Sequence, residues 1–183
     1  MKPQGLCEPS LFTRILLCIQ LVLLAGGCAA RSAMMVPAGF EVAKKIPGAV
    51  RVEEAVGGHE TNPLWTSQIS STAFTEALTN SIAKAGLFDS VLKQGNADYI
   101  LNVTILSYDQ PWVGLDLDIK MKTKWELTDA KKLIPVWSDT FETTYRAKAS
   151  DALIAAERLQ KANEGAVRTN IAEGINRLSE AKF

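Results

Sequence analysis

The chain has one histidine and three cysteines among its 183 residues, and this scarcity limits its chemistry. Zinc sites and most acid–base sites bring several such side chains together. The sole histidine, His59, lies in the loop-like segment GGHETNP beside Glu60, and the sequence contains neither a glycine-rich phosphate loop nor a G-x-S-x-G motif. The sequence therefore predicts a protein that is not an enzyme and that binds no metal and no cofactor.

Neither sign of charge is in excess, because 20 acidic residues balance 20 basic residues. Proteins that bind nucleic acids usually carry a basic excess that neutralises phosphates. We therefore expect no nucleic-acid partner.

The chain also lacks an apolar run long enough to cross a bilayer. The run from Ile15 to about Gly27 holds roughly 13 residues, whereas a spanning helix needs about 20. Lys2 and Arg14 precede it, and small residues end it. This pattern is typical of a secretory signal peptide, which we place at residues 1–27.

The signal ends in Ala25-Gly26-Gly27-Cys28, which resembles the lipobox of bacterial lipoproteins. In that family the cysteine becomes the first residue after cleavage and carries acyl chains, and two or more chains attach a protein durably to a membrane. Cys7 and Cys18 lie in the segment that would be removed, so Cys28 would have no disulfide partner. The alternative is an ordinary cleavage nearby that leaves Cys28 without a role.

The resemblance implies lipidation at Cys28 and attachment to the membrane through it. Ala29 follows, where lipoproteins retained in the inner membrane often carry aspartate. The implied location is the outer membrane, with the protein facing the periplasm.

Residues 28–48 are predicted to form the lipidated N-terminus and a flexible tether, because prolines and glycines interrupt any regular period. As a coil, such a segment averages about 25 Å from end to end. Met34, Met35, Val36 and Phe40 are unusually apolar for a linker and are candidates to pack on the domain or a partner.

Residues 49–183 are predicted to form one periplasmic domain. AVRVEEAV alternates as a first strand, and apolar residues at helical spacing predict a helix from about Ser67 to Ala85, ending at Gly86. A connector follows that can hold a short strand at Ser90–Leu92. DYILNVTILSY predicts the next strand. A final helix is predicted from Ser150 almost to Phe183, with Gly165 or Gly174 as points where it could bend.

The clearest pattern is the alternation in LDLDIKMKTKWEL, which predicts an antiparallel strand with one wet face. A short loop joins it to VWSDTFETTY, so the two should form a hairpin. The polar side of the alternating strand is the candidate partner-binding face, with plain solvation as the alternative; its residues are Asp116, Asp118, Lys120, Lys122 and Lys124.

These elements predict an α+β fold in the order β-α-β-β-β-α. An antiparallel sheet with both helices packed on one face would bury the apolar stripes of the helices and the apolar face of the sheet. The other face of the sheet would meet water or a partner.

With the lipobox and this order in place, the chain resembles the ABC-type transport auxiliary lipoproteins. The residues that carry the resemblance are Asp98-Tyr99, Trp125, Leu127 and Asp129. It implies a non-catalytic adaptor in an envelope complex that transports lipid, with components of an ABC transporter as partners. No functional residue carries over.

Three alternatives stay open. The first is a self-assembling ring or scaffold of an export machine, which would make the protein a homo-oligomer. The second is an envelope hydrolase that uses Asp116 or His59. The third is a lipid carrier, which needs a cavity between the sheet and the helices.

Overall fold

A computed structural model describes residues 31–39, 42–59, 68–111, 114 and 116–182. Cys28 and Glu60 lie outside the described residues. Within them, five strands and two helices follow one another along the chain, with short 3-10 turns at Ser32–Met35 and Ala149–Asp151. The elements in order are β1 (Ile46–Val52), α1 (Ser71–Ala85), β2 (Phe88–Leu92), β3 (Tyr99–Asp109), β4 (Leu117–Asp129), β5 (Ile134–Ala147) and α2 (Ala155–Ser179).

The strands form one sheet in the order β2-β1-β3-β4-β5, with both helices packed against it. The predicted α+β class and order of elements are confirmed, and the optional connector strand is present as β2. The sheet is mixed rather than wholly antiparallel, because β1 runs parallel to both β2 and β3. A parallel pair needs a crossover between its strands, and α1 supplies it for β1 and β2. No helix among the described residues is long and apolar enough to span a bilayer.

The long hairpin of β4 and β5 confirms the predicted alternation. Its pairing runs from Leu117 opposite Ala147 to Asp129 opposite Ile134. The odd-numbered side chains of β4 up to Leu127 are buried under the helices, and the even-numbered ones lie on the other face. The sheet therefore has one face covered by helices and one face left open.

Each helix begins a few residues later than the sequence pattern indicates. α1 starts at Ser71, since the Ser70 hydroxyl oxygen accepts a hydrogen bond from the Ala73 amide at 3.1 Å and caps the helix. It ends at Gly86, whose φ of 62° is left-handed, as predicted. α2 starts at Ala155, because residues 149–151 form a separate 3-10 turn.

Two glycines let α2 approach the sheet closely, and the 25-residue helix continues through both of them. A Cβ atom on Gly174 would lie 2.3 Å from Cζ2 of Trp125, and one on Gly165 would lie 2.3 Å from the Tyr145 ring. These glycines therefore serve close packing, and neither of them interrupts the helix.

A buried polar network fixes α2 along the sheet between these two contacts. Asn170 is fully buried, and its Oδ1 accepts a hydrogen bond from the Thr123 hydroxyl at 2.9 Å. Its Nδ2 donates to Thr143 Oγ1 at 3.1 Å, while Trp125 Nε1 donates to Thr123 Oγ1 at 3.1 Å. Because buried polar groups are costly when unpaired, this network favours one position of the helix.

The N-terminal segment lies against the domain over part of the range predicted as tether. Met35 is fully buried in the core. The Arg31 amide donates to Glu164 Oε1 at 3.0 Å, and Arg168 Nη1 donates to the Met34 carbonyl oxygen at 2.7 Å. In addition, β1 begins at Ile46, inside the predicted tether.

Replacing Gly174 by alanine is expected to lower the free energy of unfolding by about 1–3 kcal/mol, because the added methyl group meets the Trp125 ring. Helix propensity alone predicts the opposite, a gain of about 1 kcal/mol. Chemical denaturation of the purified protein measures the difference. The matched control is the same substitution in a Trp125→Leu background, where the ring is absent and the cost should shrink. An equal or higher stability of Gly174→Ala alone would contradict the close packing.

Candidate docking surface

The predicted partner-binding residues lie together on the open face of the sheet. Asp118, Lys120, Lys122 and Lys124 alternate along β4 on the side away from the helices, and Asp116 directly precedes the strand. The three lysines are exposed. At about 3.3 Å per residue, the row from Asp116 to Lys124 is about 26 Å long. We call this surface, with its neighbours on β3 and β5, the open face.

The two aspartates at one end of the row are engaged within the domain. Arg146, opposite on β5, donates from Nε to Asp118 Oδ1 at 2.6 Å and from Nη2 to Oδ2 at 2.7 Å. This bidentate hydrogen bonding lowers the pKa of Asp118 below its ordinary value and raises the pKa of Arg146. Asp116 Oδ1 accepts from the Ala149 amide at 3.1 Å. Asp118 therefore stays ionised and is poorly suited to donate a proton.

The lysines differ in what they contact. Lys124 Nζ pairs with Glu126 Oε2 at 3.0 Å, whereas Lys120 and Lys122 form no ion pair with the described residues. Lys120 lies between Asp109 on β3 and Thr144 on β5, and Glu142 lies opposite Lys122 on β5. The middle of the open face thus presents two ammonium groups, each with a carboxylate on a neighbouring strand, that a partner could engage.

Two exposed apolar side chains that the sequence analysis did not single out lie on the segments next to β4. Leu106 is 50% exposed at a β-bulge in β3, and Val56, which bridges to Thr104, is 64% exposed. Alternation along β3 could have indicated Leu106. No local signal could have placed Val56 here, since its contact with Thr104 joins distant parts of the chain. The open face therefore carries both charged and apolar side chains.

A cavity of about 280 Å³ lies near the start of α1, and Leu106 of the open face is among the residues that line it. His59 lines it together with Gly57, Ile69, Ile105 and Tyr108. No carboxylate is present among its described lining residues, and Asp116 lies elsewhere, directly before β4. The volume is at the lower end of the range for pockets that hold small molecules.

Tyr108 joins the rim of this cavity to α2. Its hydroxyl group donates to Asn163 Oδ1, which also accepts from Gln110 Nε2 at 2.7 Å. Burial raises the pKa of Tyr108, so the phenol remains neutral and acts as a hydrogen-bond donor. These hydrogen bonds form a polar cluster that holds the end of β3 against α2.

Residues 65–178 match the family model LptE, described as lipopolysaccharide-assembly. The chain belongs to the LptE family of lipoproteins. No curated protein matches the sequence. The LptE match agrees with the expected lipoprotein, although this family is not the ABC-type transport auxiliary family that the strand motifs resemble.

Solved structures show the same fold at low sequence identity. Protein XCC0632 from Xanthomonas campestris is 12% identical, with a TM-score of 0.57 over 79% of this chain and 89% of that one. CT253 from Chlamydia trachomatis is 10% identical, with a TM-score of 0.52 over 73% and 96%. The PelC dodecamer from Paraburkholderia phytofirmans is 18% identical, with a TM-score of 0.48 over 80% and 94%. A likeness at this last level carries no argument about assembly.

We predict that the pKa of Asp118 is below that of an ordinary aspartate and that Arg146→Met returns it toward the ordinary value. Since the folded pKa is lowered, the pair stabilises the fold above the unfolded pKa, and this contribution is lost as the pH falls through the folded pKa. NMR titration of the Asp118 carboxyl carbon measures this pKa in the purified wild-type protein and in Arg146→Met. An unchanged Asp118 pKa in Arg146→Met would show that the bidentate pair does not form in solution.

Proposed function

We propose that this LptE-family protein is a non-catalytic lipoprotein of the outer membrane that acts as an accessory component of a lipid transport or assembly complex. The match to the lipopolysaccharide-assembly family over residues 65–178 carries this proposal. Cys28 anchors the chain to the periplasmic face of the membrane, and the domain supplies a surface to which the complex docks.

The open face is the docking surface that the geometry supports best. The two helices cover the opposite face of the sheet, and the hydrophobic core lies between them and that face. The open face is therefore the broad side of the sheet that a partner can reach. Lys120 and Lys122 supply positive charge that forms no ion pair with the described residues, and Leu106 and Val56 supply exposed apolar area on the neighbouring segments. Charges of this kind set the rate and specificity of association, and apolar groups stabilise the complex. The partner that fits is an acidic surface with an apolar centre.

Reversing both charges, by Lys120→Glu and Lys122→Glu, is expected to reduce recovery of the partner complex about tenfold, because like charges would then face each other across the interface. The measurement is crosslinking in cells, followed by pull-down of the tagged lipoprotein and mass spectrometry. Lys44→Glu with Lys45→Glu is the matched control, since both lysines are exposed and the net charge changes equally.

Two outcomes of that experiment would count against the proposal. Unchanged recovery with the reversed lysines, in a variant that melts like the wild type, would remove the open face as the docking surface. Recovery of this chain alone, in a large discrete assembly, would favour a self-assembling scaffold over an accessory of a transport complex.

The location is tested by changing the residues at the lipobox. Ala29→Asp is expected to move the protein from the outer-membrane to the inner-membrane fraction, and Cys28→Ser is expected to abolish acylation. Density-gradient separation of the membranes and mass spectrometry of the N-terminal peptide measure both effects. Retention of Ala29→Asp in the outer membrane would show that residue 29 does not direct sorting here.

A further inference from the structure

The N-terminal segment runs along α2 toward the beginning of that helix. The Met34 carbonyl oxygen accepts from Arg168, and three residues earlier the Arg31 amide donates to Glu164 Oε1 at 3.0 Å. Gln160, one turn nearer the beginning of α2, donates to the same Glu164 oxygen at 3.1 Å. Tracing the chain backwards from Met34 to Arg31 therefore approaches the end of the domain where α2 starts.

Cys28, the proposed anchor residue, is only a short length of chain away from this end. Cys28 precedes Arg31 by three residues, and consecutive Cα atoms are 3.8 Å apart, so the Cα atoms of the two residues are within about 11 Å of each other. Along α2, the ten residues from Ile154 to Glu164, which accepts the hydrogen bond from the Arg31 amide, rise about 15 Å. An acyl chain on Cys28 would therefore enter the membrane on the side of the domain where α2 starts, and most of the predicted tether would not separate the two.

Two adjacent aliphatic side chains project into solvent at the same end. Leu153 is 99% exposed and Ile154 is 66% exposed, in the turn that leads into α2. A single exposed leucine is ordinary on a protein surface. Two neighbouring aliphatic side chains near a lipid anchor are a different case, because the anchor holds them close to the membrane. Burial of each side chain in the membrane interface is then favourable.

We propose that Leu153 and Ile154 insert into the membrane interface beside the acyl chains of Cys28, so that the domain rests on the bilayer with the beginning of α2 downward. This orientation rests on the lipid anchor proposed above. The Leu117–Ala147 end of the β4–β5 hairpin then faces the membrane, and the 13 residues of β4 extend about 40 Å away from it. The open face is presented sideways, toward a partner in or above the same membrane.

The test places a fluorescent label at this end of the acylated protein. Because acylation occupies the thiol of Cys28, Leu153→Cys or Ile154→Cys introduces the one free thiol of the mature chain, which takes an environment-sensitive dye. The protein is reconstituted in vesicles of phosphatidylethanolamine and phosphatidylglycerol that contain spin-labelled lipid. Leu133→Cys is the matched control, since Leu133 is 74% exposed at the opposite end of the hairpin.

The expected result is a blue shift and strong quenching of the labels at positions 153 and 154, with neither effect at 133. Glu164→Ala, which removes the acceptor for the Arg31 amide, should weaken the quenching at 153 because the anchor is then less closely tied to α2. Labels at 153 and 154 that remain in water, or equal quenching at all three positions, would overturn the proposal. Shielding that requires a partner protein and is absent in vesicles would also overturn it, in favour of a protein contact.

Mass spectrometry of the same sample separates this proposal from the one on which it rests. If Cys28 carries no acyl group, the anchor and the orientation both fail. If Cys28 is acylated while the labels stay in water, only the orientation fails, and the accessory function is unaffected.

Discussion

The packing of α2 on β4 and β5 is the contact on which the rest of the structure depends. Gly174 leaves room for the Trp125 ring, and Gly165 leaves room for the Tyr145 ring. Between these contacts, Asn170 forms hydrogen bonds with the hydroxyl groups of Thr123 and Thr143. This contact decides which face of the sheet is covered. As a consequence, the residues of β4 alternate between a buried, mostly apolar set and a more exposed, mostly charged set, and the register does not allow the two sets to swap faces.

The same helix also determines where the N-terminus lies. Glu164 and Arg168 hold the backbone of the 3-10 turn at Ser32–Met35, and Met35 fills a site in the core. A lipoprotein domain on a long coil would sample all orientations at the membrane. A chain held at Arg31 restricts that freedom. The position of the anchor proposed at Cys28 is therefore related to the direction in which the open face points.

The period-two pattern of β4, the short hairpin loop and the helical stripes predicted the class, the order of elements and the face that would stay open, because these are local consequences of burial. The direction of β1 could not be predicted in this way, since the periodicity of a strand is the same in parallel and antiparallel pairs. The start of α2 was misplaced because Ser150 resembles a cap, whereas residues 149–151 form their own turn. Of the candidate site, the row from Asp116 to Lys124 was predictable, but the pair of Asp118 with Arg146 and the bridge of Val56 to Thr104 depend on pairing between distant segments.

Site-specific photocrosslinking in cells tests most directly that the open face docks to an envelope transport complex. A photoreactive residue at position 122 lies at the centre of that face, and one at Lys84 on α1 lies on the helical side of the domain. The account predicts crosslinks from position 122 to a component of a lipid transport or assembly complex, and none to that component from position 84. Crosslinks to such a component from position 84 alone would contradict it.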